Sequence, residues 1–312
     1  MTRSNEKDEL HLIREIAGRL APRIAGGVPF GDDMATIAPG GELLWTVDML
    51  MDGVDFDSRR HDWRAIGRKA MAVNLSDCAA MAVHPQSALI AVALNDALSM
   101  DDALALFDGA QACADEFVCE MTGGDTNSWA WPTVVSITVA ARPDPDFGPV
   151  MRGGARPGDQ IYVSGLLGGS IVGRHLTFQP RVREALQIAR LLQPHAMIDI
   201  SDGLALDVSR IAEASGCGAL LDAAGLDGCI HPDARTLAQR DGRSAREHAL
   251  SDGEDFELAV VVHADVIEDR IAPLGLRRVG EMIRQPGLFL REAGEIRPLE
   301  PCGWRHFRGA SQ

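Results

Sequence analysis

The sequence predicts a mixed α/β protein built as two domains. Three observations carry that reading. Strand-like apolar runs alternate with helix-like apolar patterns along the whole chain. One segment, RPDPDFGPVMRGGARPGD at 142–159, is dense in Pro and Gly and interrupts the alternation. The length of 312 residues suits two domains of ordinary size. We place the boundary inside that segment, giving domains 1–148 and 149–312.

The opening stretch, MTRSNEKDELHLIREIAGRL, reads as an amphipathic helix with Ile13, Ile16, Ala17 and Leu20 on one face. It lacks the apolar segment of a secretory leader. Strands are predicted at LLWTVDML (43–50), SALIAVAL (87–94), TVVSITVAA (133–141), QIYVSG (160–165) and FELAVVV (256–262). Helices are predicted near 63–82, 100–115, 168–177, 181–192 and 204–215. In 63–82 an apolar stripe runs through Trp63, Ile66, Ala70 and Val73, and its next step falls on Asp77, with Asn74 one turn before. A carboxylate continuing a buried stripe needs a partner.

Composition narrows the function. Hydrophobic residues make up 46% of the chain, enough for sizeable cores. The net charge is −15, with no basic stripe to neutralise phosphates, which argues against a nucleic-acid partner. No apolar run approaches the ~20 residues that span a bilayer, so the expected location is the cytoplasm. Six cysteines show no CxxC spacing and read as reduced, mostly buried small hydrophobes. Nine histidines show no HxxxH pattern, which disfavours zinc.

The chemistry-bearing residues are carboxylates. They stand beside Gly, Ser or Thr at Gly31-Asp32-Asp33, Thr46-Val47-Asp48, Ser76-Asp77, Gly123-Gly124-Asp125-Thr126 and Asp199-Ile200-Ser201-Asp202-Gly203. A sixth cluster, DGEDFEL at 252–258, precedes an apolar strand. Each alone reads equally as a turn, a cap or a solvated end. Together they suit a hard divalent cation, which takes oxygen ligands and shares its shell with phosphate and water. Glycine allows close approach of backbone to a phosphate, and Ser or Thr adds a small oxygen donor. No GxxxxGK[ST], HRD/DFG pair or GxSxG elbow is present. The glycine-rich GLLGGS at 165–170 is not GxGxxG.

In this order, GDDMATI, TVDMLMDGVDF, RKAMAVNLSDCAAMAVHP, TGGDTN, MRGGARPGD, MIDISDGLALDVSRIAEASGCGA and SDGEDFELAV resemble the thiamine-monophosphate kinases. The match runs from about residue 8 to the terminal GWRHF. The wider superfamily includes aminoimidazole ribonucleotide synthetase, selenophosphate synthetase and a hydrogenase maturation factor. The resemblance implies an aminoimidazole ribonucleotide synthetase-like fold: an N-terminal mixed-sheet domain that dimerises and a C-terminal α/β domain. It implies an ATP-dependent kinase acting on thiamine monophosphate, with ATP and several Mg²⁺ ions between the domains and a homodimer as the assembly. Carried over by position, Asp33, Thr46, Val47, Asp48, Asp77 and Asp125 are the N-terminal metal ligands, and Asp199 and Asp202 the C-terminal ones. Gly124, Asp125, Arg152 and Ser201 are nucleotide contacts, and Asp55, Glu254 and Trp304 face the acceptor. No general base or covalent nucleophile is implied, because a phosphate monoester is already anionic near pH 7, its second pKa being about 6.

The chain departs from the family pattern at four points. Asp55 stands where a histidine is usual, Asp252 where a glycine and Phe256 where a tyrosine is usual, and Asn127 ends the usual GGDTT. A paralogous kinase or synthetase acting on another small phosphate or amide substrate is the alternative, and a non-catalytic metal- and nucleotide-binding relative is a third.

Overall fold

The computed structural model describes residues 35–37, 42–266 and 268–305; the amphipathic segment at 11–20 and Asp33 lie outside them. The first sheet is made of β1 (Ala35–Ile37), β2 (Leu43–Met51), β3 (His84–Asn95), β4 (Glu120–Trp129) and β5 (Val134–Arg142), in the order β1-β2-β5-β3-β4. All neighbours are antiparallel except β3 and β4. That parallel pair requires a crossover, and α2 (Met100–Glu116) supplies it. The helix α1 (Trp63–Ala80) packs beside α2 on the same face of the sheet. Each helix starts at a side-chain cap: Asp62 accepts the Ala65 N–H at 3.0 Å, and Ser99 accepts the Asp102 N–H at 3.1 Å.

The second sheet contains β6 (Gln160–Val163), β7 (Ala196–Asp199), β8 (Gly218–Asp222), β9 (Leu258–Val262), β10 (Arg277–Ile283), β11 (Gly287–Glu292) and β12 (Glu295–Pro298). Its order is β12-β11-β8-β10-β6-β9-β7. The helices around it are α3 (Val182–Leu192), α4 (Leu204–Ala214), α5 (Ala223–Asp227), α6 (Pro232–Asp241), α7 (Ala245–Ser251) and α8 (Glu268–Ile271). Every residue of β9, LAVVV, is buried. Leu258, Val260 and Val262 join one core while Ala259 and Val261 join the other, so a strand covered on both faces reads as a continuous apolar run.

The first core does not stop at the Pro/Gly-rich segment. It runs from Leu44 and Ile137 of the first sheet through Met71 and Leu75 of α1 to Ile188 of α3 and Val260 of β9. From Ile66 to Ala80 almost every residue of α1 is buried, so the helix lies between the two sheets rather than on a surface. The other face of the first sheet leaves apolar side chains exposed. On β2, Leu44, Thr46 and Leu50 point inward while Val47, Met49 and Met51 are 62%, 61% and 43% exposed, the period-2 alternation of a strand.

Most predicted elements appear within a residue or two. The segment read as a helix at 168–177 is instead two 3₁₀ turns, Ser170–Val172 and Arg174–Leu176, broken by Gly173 at φ 148°. The strand predicted at 256–262 starts at Leu258, because Glu254 and Phe256 are left-handed at φ 52° and 50°. Strand β4, EMTGGDTNSW, carries no strand-like pattern; pairing with β3 imposes the conformation. The cysteines at 78, 113, 119, 217 and 229 are buried free thiols, as read, and Cys302 is half-buried.

Candidate active site

Aspartate 77 has the partner its position demanded. Its carboxylate accepts the Thr46 hydroxyl proton from β2, while Asn74 turns back to donate to the Ala70 carbonyl at 3.1 Å. The preceding residue, Ser76, donates to Asp199 at the end of β7 at 2.5 Å. Two adjacent residues of α1 therefore tie a β2 hydroxyl and a β7 carboxylate into one polar seam between the sheets. Asp199 is 3% exposed, a carboxylate placed in the interior with a hydroxyl for company.

Beyond β7 the chain turns through Ser201 and Asp202 into α4. Asp207, fully buried in the first turn of α4, accepts the N–H groups of Asp202 and Gly203, both at 3.1 Å. Arg210 then bridges the two carboxylates, 2.6 Å from Asp202 and 2.6 Å from Asp207. Gly203 sits at φ 117° with Ser251 of α7 3.0 Å from where a Cβ would be, so only glycine fits this turn. The Asp202 carbonyl accepts from the Trp304 N–H at 2.8 Å, and the Ser201 carbonyl accepts from the Glu254 N–H at 2.6 Å. The 252–258 loop and the C-terminal segment are thus laid directly on the aspartate turn.

These segments enclose a cavity of about 560 Å³. Asp48, Asp55, Ser201, Asp202, Glu254 and Trp304, all singled out from the sequence, line it. Trp304 is 52% exposed. Asp55 is less available than its position suggests, since its carboxylate accepts the Met51 N–H at 2.7 Å and closes the turn after β2. Asp77 and Asp199 stand behind the cavity in the α1 seam. Arg152 is half-buried in the Pro/Gly-rich segment and is not among the lining residues.

Gly124 and Asp125 lie elsewhere. Both are exposed on β4 and line a second, mostly apolar cavity of about 590 Å³ between β3, β4 and α2. Gly124 has a structural reason to be glycine, because a Cβ there would collide with the Ile90 carbonyl of β3. Val47 faces outward on β2.

Among the described residues no three Asp, Glu, His or Cys side chains converge as a closed metal site would require. The oxygen donors come in pairs instead, Thr46 with Asp77 and Ser76 with Asp199. Paired donors suit Mg²⁺, which is commonly held by one or two carboxylates and completed by phosphate and water.

The sequence reading missed Lys69, His175, Asp207 as a turn-organising group, and Arg210. Lys69 donates to Glu254 Oε1 at 2.5 Å and to the Asp55 carbonyl at 2.6 Å. His175 Nδ1 lies 3.0 Å from the ammonium and 3.3 Å from Glu254 Oε2. Burial pushes the Glu254 carboxyl up, but His175 and the Lys69 ammonium outweigh it and hold it below its usual range. Lys69 left a signal: it stands three residues after Ile66 and four before Val73, on the apolar stripe itself.

Residues 31–142 match the family described as AIR synthase related protein, N-terminal domain. A thiamine-monophosphate kinase of Rhodopirellula baltica is 37% identical over 301 residues, covering 92% of this chain and 93% of the relative. One from Methanospirillum hungatei is 34% identical, covering 94% and 99%. The solved structure of AaThiL complexed with AMPPCP and TMP superposes with a TM-score of 0.83 at 28% identity, covering 98% of this chain and 99% of that one. The chain belongs to the thiamine-monophosphate kinase family.

Proposed function

We propose that this protein transfers the γ-phosphoryl group of ATP to thiamine monophosphate, giving thiamine diphosphate and ADP. The observation that carries the reading is one cavity lined by Asp48, Ser201, Asp202, Glu254 and Trp304, which brings carboxylate and hydroxyl oxygens together with an aromatic ring. An oxygen of the monophosphate attacks the γ-phosphorus, a new P–O–P bond forms, and the bond to the β-phosphate oxygen breaks as ADP leaves. The nucleophile is already anionic, so no side chain needs to remove a proton.

The main obstacle is repulsion between two phosphate groups. Asp48, Asp77, Asp199 and Asp202 on one side and Asp125 on the other, with Thr46, the Val47 carbonyl and Asp33, would hold Mg²⁺, which would supply positive charge to offset that of the phosphates. The chain's own part is positional. Asp207 and Arg210 fix the Asp202 turn, Trp304 offers a ring face to a flat heterocycle, and Glu254 offers negative charge to a cationic one. Ser201, Arg152, Gly124 and Asp125 are the nucleotide side of this reading.

The assembly proposed is a homodimer through the outer face of the first sheet, where Val47, Met49, Met51 and Leu89 form an exposed apolar surface. Residues 1–148 would form the nucleotide, metal and dimerisation domain and 149–312 the second domain. No described helix is long and apolar enough to cross a membrane, and we place the enzyme in the cytoplasm.

The test is direct. Purified protein with Mg²⁺ and ATP should convert thiamine monophosphate to thiamine diphosphate, followed by chromatography. Phosphoryl transfer to other small phosphates with none to thiamine monophosphate would favour the paralogue reading raised by Asp55.

A further inference from the structure

Of the chain's thirty basic residues only Lys7 and Lys69 are lysines; the rest are arginines. Lys69 is also fully buried, at the centre of the helix shared by both sheets. An ammonium ion there has lost its water and must be fully satisfied by protein. It is. Its Nζ donates to the Asp55 carbonyl at 2.6 Å and to Glu254 Oε1 at 2.5 Å, and lies 3.0 Å from His175 Nδ1. The compact three-donor geometry is lysine's; a planar guanidinium fork would not reproduce it.

The acceptors are informative. Asp55 and Glu254 come from loops 14 and 185 residues away from Lys69 in sequence, and both line the 560 Å³ cavity. Glu254 is held at φ 52°, a left-handed conformation that costs a non-glycine residue energy and persists only where surroundings enforce it. Its side chain keeps 29% exposure on the cavity side while the ammonium is wholly shielded.

We propose that Lys69 is the positioning residue for the acceptor: by bonding the Asp55 main chain and the Glu254 carboxylate at once, it fixes the wall that recognises a cationic, phosphorylated heterocycle. The proposal rests on the acceptor reading above, in which Glu254 faces thiamine monophosphate. Lys69 itself touches neither substrate. Its influence passes through Glu254, so it should appear in acceptor affinity and vanish when Glu254 can no longer pair.

The experiment measures steady-state kinetics for both substrates in wild type, Lys69→Met, Glu254→Gln and the double variant, with melting curves as a control of folding. Lys69→Met should raise the KM for thiamine monophosphate about tenfold or more and leave the KM for ATP within about twofold. In the Glu254→Gln background the same change should alter the acceptor KM less than about threefold, the non-additivity expected of residues acting as one unit. If Lys69→Met alone does not fold, because it strands a buried carboxylate, the pair Glu254→Gln and Lys69→Met/Glu254→Gln still decides the matter. Equal rises in both KM values, or a tenfold Lys69 effect that survives Glu254→Gln, would overturn the role of Lys69. A wild-type protein that binds ATP but does not turn over thiamine monophosphate would overturn the acceptor reading and the specificity role with it.

Discussion

The carboxylates of the aspartate turn and the carboxylate on β4 serve the same proposed purpose in opposite settings. Asp202 is held by Arg210, its N–H is held by the buried Asp207, and its carbonyl is held by Trp304. Asp125 sits exposed on a strand whose residues are nearly all exposed. One side of the site is preorganised within a single chain before any ligand arrives. The other is a scaffolded edge, ordered by pairing with β3 and open to whatever docks there. The contrast shows where the chain spends its internal hydrogen bonds: on the turn that must hold charge against burial, and not on the strand that water already solvates.

The largest expected effect breaks both sides together. Chelation with EDTA should reduce phosphoryl transfer by about a thousandfold or more, and Mg²⁺ should restore it, since an uncompensated triphosphate would face the carboxylates directly. Activity that persists in EDTA would refute the oxygen-donor assignment throughout. Next, Asp202→Asn and Asp125→Asn should each lower kcat by about a hundredfold. The comparison is sharpened by heat: Asp125→Asn should leave the melting temperature unchanged, whereas Asp202→Asn removes one of the two carboxylates that hold Arg210 and should lower it.

Asp207→Ala should then cost about 3–5 kcal/mol of stability in a denaturant titration, because it leaves a half-buried arginine and two N–H groups without their carboxylate. A loss below about 1 kcal/mol would mean the turn is not held from within. A smaller and different effect is expected at the outer sheet face, where Met49→Asp should shift the protein toward monomer by light scattering while the fold survives.

The smallest effect is a pH dependence from Glu254. Its folded carboxyl is held below the unfolded value of 4.5, so its contribution to stability is present above that value and is lost as pH falls through the folded one. Lys69→Met should reverse the sign, since a buried carboxyl without its cation is raised and loses stability as pH rises. Denaturant midpoints of the two proteins across the acid range check it.

Long apolar runs and strong helical periods made β2, β3, β5, β6, β9, α1, α2, α3 and α4 legible in the sequence. Strand β4 was not, because Gly, Asp, Thr, Asn and Ser carry no strand preference and only β3 gives them one. Strands β1, β7 and β8 were also missed, being only three to five residues long, and β10 to β12 because short strands rich in Arg and Glu resemble loops. Within the site, residue types and family order pointed to the cavity-lining residues Asp48, Asp202, Glu254 and Trp304. What stayed hidden were the supporting contacts. Lys69 to Glu254 spans 185 residues and Ser76 to Asp199 spans 123, and no local pattern encodes a pairing made only when two sheets close on one helix.

That shared helix has a consequence for how the molecule comes apart. The Pro/Gly-rich segment separates two sheets in sequence, yet the core built on α1 belongs to both. Neither half can melt alone without opening the apolar surface on which the other depends. Calorimetry should therefore record a single transition whose van't Hoff and calorimetric enthalpies agree, and the two domains, separated by a cut at residue 148, should be insoluble rather than fold independently.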